Sequence, residues 1–221
     1  MKKEVNIVFF GAPGVGKGTQ AKKISHELKL PHIDTGNLIR EAIVNKTELG
    51  IKAQQFVESG KLVPDQLVID LIREKLIVLK DKNFNGFILD GFPRTIPQAN
   101  ALKNLLEELK LDLTYVLNIQ APENLLIKRL SSRRLCSNKA CGAIFNLISK
   151  KPKEENKCDV CNSSLYQRKD DTEEAAKERL NEYHNKTAPL EKYYRDQNKL
   201  VDIDGTKEPD EVYNKIIKIL S

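Results

Sequence analysis

The sequence predicts an α/β protein in which a parallel sheet has helices on both faces and carries two inserted subdomains. Three observations lead to this prediction. Apolar segments typical of buried strands alternate with amphipathic helical segments, as in a parallel sheet. A glycine-rich loop connects the first of these strands to a helix. Two stretches, residues 35–63 and 135–167, interrupt the alternation after predicted strands, where they could fold over a ligand.

The individual elements follow from the periodicity of the apolar residues. Consecutive apolar residues predict buried strands, near residues 5–10, 31–34, 86–90, 114–119 and 199–203. Apolar residues at helical spacing predict helices, at residues 17–29, 36–44, 48–59, 65–80, 97–109, 122–134, 172–197 and 208–220. The charged stretch 150–157 predicts a solvated hairpin or loop.

Composition and charge exclude several classes of protein. The 221 residues are 40% hydrophobic and 31% charged, which is ordinary for a globular chain. No apolar run approaches the roughly 20 residues of a membrane helix, and the first strand follows Met1–Glu4 directly, without room for a signal peptide. We therefore expect no membrane partner and a cytoplasmic location. The net charge of +6 suits polyanionic small molecules, and the lack of tryptophan argues against a nucleic-acid partner.

Residues 11–19, Gly-Ala-Pro-Gly-Val-Gly-Lys-Gly-Thr, have the spacing of a phosphate-binding loop with one glycine inserted. The glycines allow backbone N–H groups to converge on one anion, and the following helix adds the positive end of its dipole. Lys17 supplies a mobile charge for the outer phosphates, and Thr19 a hydroxyl near a metal-bound phosphate. An ordinary strand-to-helix turn is the alternative, but the Lys-Gly-Thr sequence favours phosphate binding.

A second motif, Asp90-Gly91-Phe92-Pro93-Arg94, follows a predicted buried strand. Asp90 could hold hydrated Mg²⁺ at the ligand edge of the sheet, or it could cap the next turn. The planar fork of Arg94 suits a phosphate group. The amide of Gln98, four residues later, could bind the edge of a base, or it could lie exposed on a helix.

Further cationic residues lie around the two inserts. Thr35 or Asp34 could cap the helix that carries Arg40, which in isolation fits a surface position. Four more arginines recur around the second insert: Arg129, Arg133, Arg168 and Arg179. The first two of these are four residues apart, so we expect them to share a helix face. Several arginines around one insert, in a protein with a phosphate loop, predict a clamp.

The cysteines of the chain all lie in the second insert, as Cys136-x4-Cys141 and Cys158-x2-Cys161. This pattern predicts a structural zinc site, because four thiolates complete a tetrahedron and leave no open position. A disulfide pair and free thiols are the alternatives, and the cytosolic location disfavours the disulfides. The histidines are far apart in sequence and form no ligand pattern: His26, His32 and His184.

Taken in order, the motifs of this chain resemble those of the adenylate kinase family over nearly its whole length. They are Gly11–Gln20, Asp34-Thr35-Gly36 with Arg40, Leu62-Val63-Pro64-Asp65, Asp90–Thr95 with Gln98, Arg168–Asp171 and Asp204–Lys207. The resemblance is to the long form, whose lid can carry a structural zinc ion. It implies a P-loop NTPase-type five-stranded parallel sheet and the reaction ATP + AMP ⇌ 2 ADP with Mg²⁺. It also implies three parts: a core of residues 1–34, 64–130 and 169–221, an AMP-binding subdomain of residues 35–63, and a lid of residues 131–168.

The resemblance further implies roles for individual residues. Those around ATP are Gly14, Val15, Gly16, Lys17, Gly18, Thr19, Arg129 and Lys207. Those around AMP are Thr35, Arg40, Val63, Gly91, Arg94, Gln98, Arg168 and Arg179, with Gln98 on the adenine. The catalytic cations are Lys17, Arg94, Arg129, Arg133, Arg168 and Arg179, and Asp90 orients hydrated Mg²⁺.

The chain departs from the family pattern at two places, and other functions remain open. The family often has Gly-Arg-Arg before the lid, whereas this chain has Ser131-Ser132-Arg133-Arg134, and its first cysteine pair is two residues longer than usual. The rival functions are a kinase that acts on UMP or CMP or uses GTP, and a zinc-ribbon nucleic-acid-binding module joined to a nucleotide switch. Thr35 and Gln98 favour AMP as the acceptor. A monomer is the family expectation.

Overall fold

The computed structural model describes residues 4–59, 61–80 and 84–220. Residues 1–3, 60, 81–83 and 221, which belong to the predicted core and subdomains, lie outside this description. Five strands form the predicted parallel sheet in the order β2-β3-β1-β4-β8. Their bounds are β1 Val5–Phe10, β2 His32–Asp34, β3 Gly86–Asp90, β4 Tyr115–Gln120 and β8 Leu200–Asp204.

The side chains of the central strand alternate between two apolar cores, one on each face of the sheet. In β1, Val8 and Phe10 pack into one core, while Ile7 and Phe9 pack into the other, as the two-residue period of a strand requires. β1 pairs with β3 on one side and β4 on the other, and every residue of β3 is buried. Burial on both faces explains the continuous apolar runs from which these strands were predicted.

Helices cover both faces of the sheet, as predicted. Their bounds are α1 Lys17–Leu28, α2 Thr35–Val44, α3 Glu48–Glu58, α4 Asp65–Lys80, α5 Ile96–Glu108, α6 Glu123–Ser131, α7 Glu173–Glu182, α8 Pro189–Arg195 and α9 Pro209–Leu220. The predicted helix 122–134 is too long, because α6 ends at Ser131 and a strand begins at Arg133. Helix 172–197 is not one continuous α-helix, because a five-residue π-helical segment, Tyr183–Thr187, separates α7 from α8.

A proline and a contact across the fold explain the π-helical segment. Pro189 has no N–H group, so it cannot donate the next α-helical hydrogen bond. The N–H of Ala188 instead donates to the carbonyl of Tyr183, five residues earlier, at 2.8 Å. The wider turn directs the hydroxyl of Thr187 to the backbone carbonyl of Arg94 at 2.8 Å. The π-helical segment is thus hydrogen-bonded to the end of the Asp90–Arg94 motif.

The two inserts have different architectures. The first is the helix pair α2 and α3, in which Asp34 caps α2 by accepting from the N–H of Asn37 at 2.9 Å. The second is an antiparallel sheet in the order β6-β5-β7, with bounds β5 Arg133–Cys136, β6 Ile144–Asn146 and β7 Leu165–Tyr166. Ser132, at the junction before β5, has a right-handed backbone with φ −90°, so a serine there adds no strain.

Candidate active site

The glycine loop between β1 and α1 has a backbone that its sequence requires. Gly11, Gly14 and Gly16 have φ values of 131°, 85° and 102°, a region that residues with a Cβ rarely adopt. A Cβ on Gly11 would lie 2.2 Å from the carbonyl oxygen of Ile119. The loop therefore holds the free N–H groups at the start of α1 in one conformation, as an anion site needs.

The side chain of Lys17, the first residue of α1, contacts the backbone of this loop. Its ammonium group donates to the carbonyl oxygens of Gly11 at 2.7 Å and Ala12 at 3.0 Å. Although part of the side chain faces a cavity, desolvation by the surrounding protein lowers the pKa of Lys17 to about 8, despite the opposing effect of Asp90. A bound phosphate would stabilise the charged form of Lys17, which burial disfavours.

Asp90 ends β3 beside the loop, and its side chain is almost fully buried. Its Oδ2 lies 3.2 Å from the position that a Cβ on Gly18 would occupy, so a glycine at that position leaves room for the carboxylate. The Nε2 of His32 lies 3.6 Å from the same oxygen, and Asp34 brings a second carboxylate within 4.8 Å of both groups. Carboxylate oxygens are the donors that Mg²⁺ prefers, which fits the role predicted for Asp90.

Arg94, which precedes α5, and Gln98, in the first turn of α5, are hydrogen-bonded to each other. The Nε of Arg94 donates to the carbonyl of Gly91 at 2.8 Å, and its backbone N–H donates to Oε1 of Gln98 at 2.7 Å. The Nε2 of Gln98 donates to Oδ1 of Asp65 at 2.8 Å. Burial lowers the pKa of Arg94, and Gln98 is only 2% exposed. Gln98 is therefore a buried, oriented amide and not a surface helix residue.

On the α2 side of the same cavity lie Thr35 and Arg40. The hydroxyl of Thr35 is buried and has no hydrogen-bond partner among the described residues. The guanidinium of Arg40 donates to Oδ1 of Asn37 at 2.7 Å, and burial together with the nearby Arg168 lowers its pKa to about 10. A buried hydroxyl without a partner and a cation in an unfavourable environment both favour a polar, anionic ligand.

Two adjacent acids, Asp170 and Asp171, form ion pairs with arginines in and around the second insert. Asp171 has no exposed side-chain surface and accepts two hydrogen bonds from Arg133, at 2.8 and 2.5 Å, and one from Arg179 at 3.0 Å. Asp170 lies 3.2 Å from Arg179. Burial raises the pKa of Asp170, but Arg179, Arg40 and Arg168 outweigh it and lower the pKa below its usual value. The acids hold the guanidinium groups in place with fixed geometry.

The four cysteines lie together in the second insert. The Sγ atoms of Cys136 and Cys161 are 3.3 Å apart, those of Cys141 and Cys158 are 3.8 Å apart, and all four are free thiols. This excludes the disulfide alternative and fits zinc, because Zn–S bonds of about 2.3 Å place tetrahedral sulfurs about 3.8 Å apart. The two extra residues of the first pair are taken up by a turn, in which the N–H of Cys141 donates to the carbonyl of Asn138.

Comparisons with known proteins agree with this geometry. Residues 9–199 match the family model for adenylate kinase. The chain is 47% identical over 216 residues to the adenylate kinase of Archaeoglobus fulgidus, with 98% of both chains covered. It is 49% identical over 208 residues to that of Methanocella arvoryzae, with 94% of both chains covered. The chain belongs to the adenylate kinase family. None of the helices in the described part of the chain is long and apolar enough to cross a membrane.

In this adenylate kinase fold the predicted residues divide into two groups. The cavity between the loop, α2 and the Asp90–Arg94 motif is lined by Lys17, Thr35, Arg40, Val63, Gly91, Arg94, Gln98 and Arg179. The other predicted residues are not part of the lining of this cavity: Gly14, Val15, Gly16, Gly18, Thr19, Asp90, Arg129, Arg133, Arg168 and Lys207. The prediction that Arg129 and Arg133 share a helix face is wrong, because Arg129 is on α6 and Arg133 begins β5. Arg129 instead donates to the carbonyl of Gly205 at 2.9 Å.

Sequence reasoning did not identify several residues that hold the site together. Asp170 and Asp171 were noted only as neighbours of Arg168, although the Arg-Lys-Asp-Asp pattern signals an ion-pair cluster. Asp65 was noted only as part of a motif. His32 was given no role, and only the register of β2 with β3, which pairs Asp34 with Asp90, brings it to the site.

Proposed function

We propose that this cleft holds ATP and AMP together and that the chain transfers the terminal phosphoryl group of ATP to AMP, giving two molecules of ADP. The observation that carries the proposal is the convergence of four cations whose pKa values are all lowered, first of all by burial: Lys17, Arg40, Arg94 and Arg179. Cations held in this way destabilise the empty protein and bind phosphates strongly.

The proposed donor site is the glycine loop. The N–H groups of residues 14–19 and the ammonium of Lys17 hold the phosphates of ATP. Arg129 and Lys207 bind from the opposite side, where the Arg129–Gly205 contact fixes the guanidinium beside the turn that precedes Lys207. Asp90 holds hydrated Mg²⁺, which when bound neutralises charge on the ATP phosphates.

The proposed acceptor site is the cavity beside α2. Arg40 and Arg94 place the phosphate of AMP, while Thr35 and Gln98 bind its adenine against the apolar side chain of Val63. Gly91 leaves space for the guanidinium of Arg94, since a Cβ there would lie 3.0 Å from Nη2. Arg168, at the end of the lid, and Arg179, on α7, reach the same phosphate.

The proposed transfer step needs alignment and charge stabilisation. Arg133, Arg168 and Arg179 surround the moving phosphoryl group, with Arg133 and Arg179 positioned by Asp171. A phosphate oxygen of AMP is already anionic, so no general base is required.

We further propose that residues 35–63 and 131–168 close as an AMP-binding subdomain and a lid, because water in the cleft would hydrolyse ATP. Arg168, the last residue of the lid, already contacts Asn37 at 3.4 Å, and Lys169, which follows it, contacts Glu58 at 3.0 Å. The lid carries one structural zinc ion on Cys136, Cys141, Cys158 and Cys161. We expect the protein to be a cytoplasmic monomer.

A coupled assay with the purified chain tests this function. Formation of nucleoside diphosphates is followed with ATP, GTP and CTP as donors and with AMP, UMP, CMP and GMP as acceptors. We expect the highest kcat/KM for ATP with AMP, and no turnover when Mg²⁺ is removed by chelation. Preference for UMP or CMP as acceptor would contradict the acceptor assignment, and retention on DNA at low salt without transfer would favour the nucleic-acid module.

A further inference from the structure

We infer that Asp65 fixes the orientation of the Gln98 amide and thereby makes the acceptor site selective for adenine over hypoxanthine and guanine. Asp65 lies in the first turn of α4, outside the described cavity wall, so it acts as a positioning residue. The inference rests on the proposed function, because it takes Gln98 as the residue that binds the base of the acceptor nucleotide.

The contacts of Gln98 leave its orientation unambiguous. A carboxylate only accepts hydrogen bonds at neutral pH, so the group facing Oδ1 of Asp65 at 2.8 Å must be the NH₂ of Gln98. A backbone N–H only donates, so the group facing the N–H of Arg94 at 2.7 Å must be the carbonyl oxygen. Each end of the amide therefore faces a partner with which it can form a hydrogen bond in one orientation only.

Turning the amide by 180° would create two repulsive contacts. Oε1 would face the carboxylate of Asp65, and the NH₂ would face the N–H of Arg94. Because Gln98 is only 2% exposed, water could not relieve either contact. Asp65 is itself fixed, since its Oδ2 accepts from the hydroxyl of Thr95 at 2.8 Å. This hydroxyl also caps α5.

One hydrogen of Nε2 and one lone pair of Oε1 remain without a partner among the described residues, and Gln98 lines the cavity. A donor and an acceptor side by side match adenine, whose amino group donates next to a ring nitrogen that accepts. Hypoxanthine and guanine have a carbonyl in place of that amino group and an N–H beside it. They would match only the turned amide, which Asp65 and Arg94 disfavour.

The test compares AMP with IMP, which differ in the group at C6 and otherwise share shape and charge. Asp65→Leu removes the acceptor while keeping the size of the side chain, whereas Asp65→Asn keeps an oxygen for Gln98 and an NH₂ for Thr95. Losing the orienting contact is expected to lower the preference for AMP over IMP, measured as the ratio of kcat/KM, by about tenfold. The change is expected in KM with kcat largely kept, and Asp65→Asn should remain within about twofold of the parent.

Asp70→Leu is the matched control, because Asp70 is an exposed acid on the same helix that bonds only to Gln66 among the described residues. An unchanged AMP preference in Asp65→Leu, or an equal loss in Asp65→Asn, would overturn the inference. Gln98→Leu distinguishes a failure of the proposed function from a failure of the role assigned to Asp65. If it leaves AMP preference intact, the base assignment of the proposed function is wrong; if it removes the preference while Asp65→Leu does not, only the role of Asp65 is wrong.

If Asp65→Leu does not fold, ¹⁵N NMR of the unaltered, nucleotide-free protein decides the question. The inference predicts one slowly exchanging Nε2 proton of Gln98, held by Asp65, and a second that exchanges faster because it faces the cavity. A side-chain amide that rotates or exchanges freely with solvent would overturn it.

Discussion

Replacing Lys17 by Met is expected to change stability and activity in opposite directions. The fall in the pKa of Lys17 from 10.5 to about 8 corresponds to about 3 kcal/mol of destabilisation of the folded, nucleotide-free protein below pH 8. Lys17→Met removes this penalty but also loses hydrogen bonds to Gly11 and Ala12, each worth about 1 kcal/mol. The net expectation is a gain of about 1 kcal/mol in the free energy of unfolding at pH 7.

The same substitution removes a charge from the phosphate site, so turnover is expected to fall by a factor on the order of 10³. Urea unfolding of both nucleotide-free proteins measures the first effect, and the coupled assay the second. The parent protein loses the charge of Lys17 as the pH rises above 8, and its stability then recovers up to pH 10.5. The parent regains about 3 kcal/mol over that range, so the advantage of about 1 kcal/mol that the variant has at pH 7 should disappear and then change sign. Lower stability of the variant at pH 7, or a difference independent of pH, would refute this reasoning.

Three further substitutions or treatments test other parts of the site. Asp171→Asn removes the buried charge that Arg133 and Arg179 share and leaves Arg179 with Asp170 alone, so we expect a loss of about 3 kcal/mol in unfolding experiments and a lower kcat. The exposed Asp196→Asn should change stability by less than about 0.5 kcal/mol. Arg94→Lys loses the planar fork and should lower kcat/KM for AMP at least about tenfold with an unchanged melting temperature; an unaltered kcat/KM would exclude Arg94 from the acceptor site. Metal analysis should find about one zinc per chain, and Cys158→Ser should lose it and melt earlier; four titratable thiols without metal would contradict the zinc assignment.

The sequence was sufficient to predict the sheet, because its strands are buried on both faces and appear as uninterrupted apolar runs. It was also sufficient for the glycine loop, whose backbone geometry depends on Gly11, Gly14 and Gly16 themselves. Both predictions use local information, since neighbouring residues determine the element.

The errors arise where distant residues decide the structure. Helical spacing continues through Arg133, but pairing of β5 with β6 and β7 draws this residue into a strand. The π-helical segment depends on Pro189 and on the contact of Thr187 with Arg94 across the fold. The roles of Asp65 and His32 come from contacts between residues far apart in the chain, which no local pattern encodes. The Arg-Lys-Asp-Asp pattern signals an ion-pair cluster at Asp171 but does not identify Arg133 as its partner.

Calorimetry with a bisubstrate analogue, two adenosines joined by a chain of five phosphates, tests the central proposal most directly. One cleft that holds both nucleotides end to end predicts one analogue per chain and no detectable binding of AMP or ATP to the analogue-loaded protein. AMP that still binds to the loaded protein with its original affinity would show that the two nucleotides occupy separate sites, and would contradict this account.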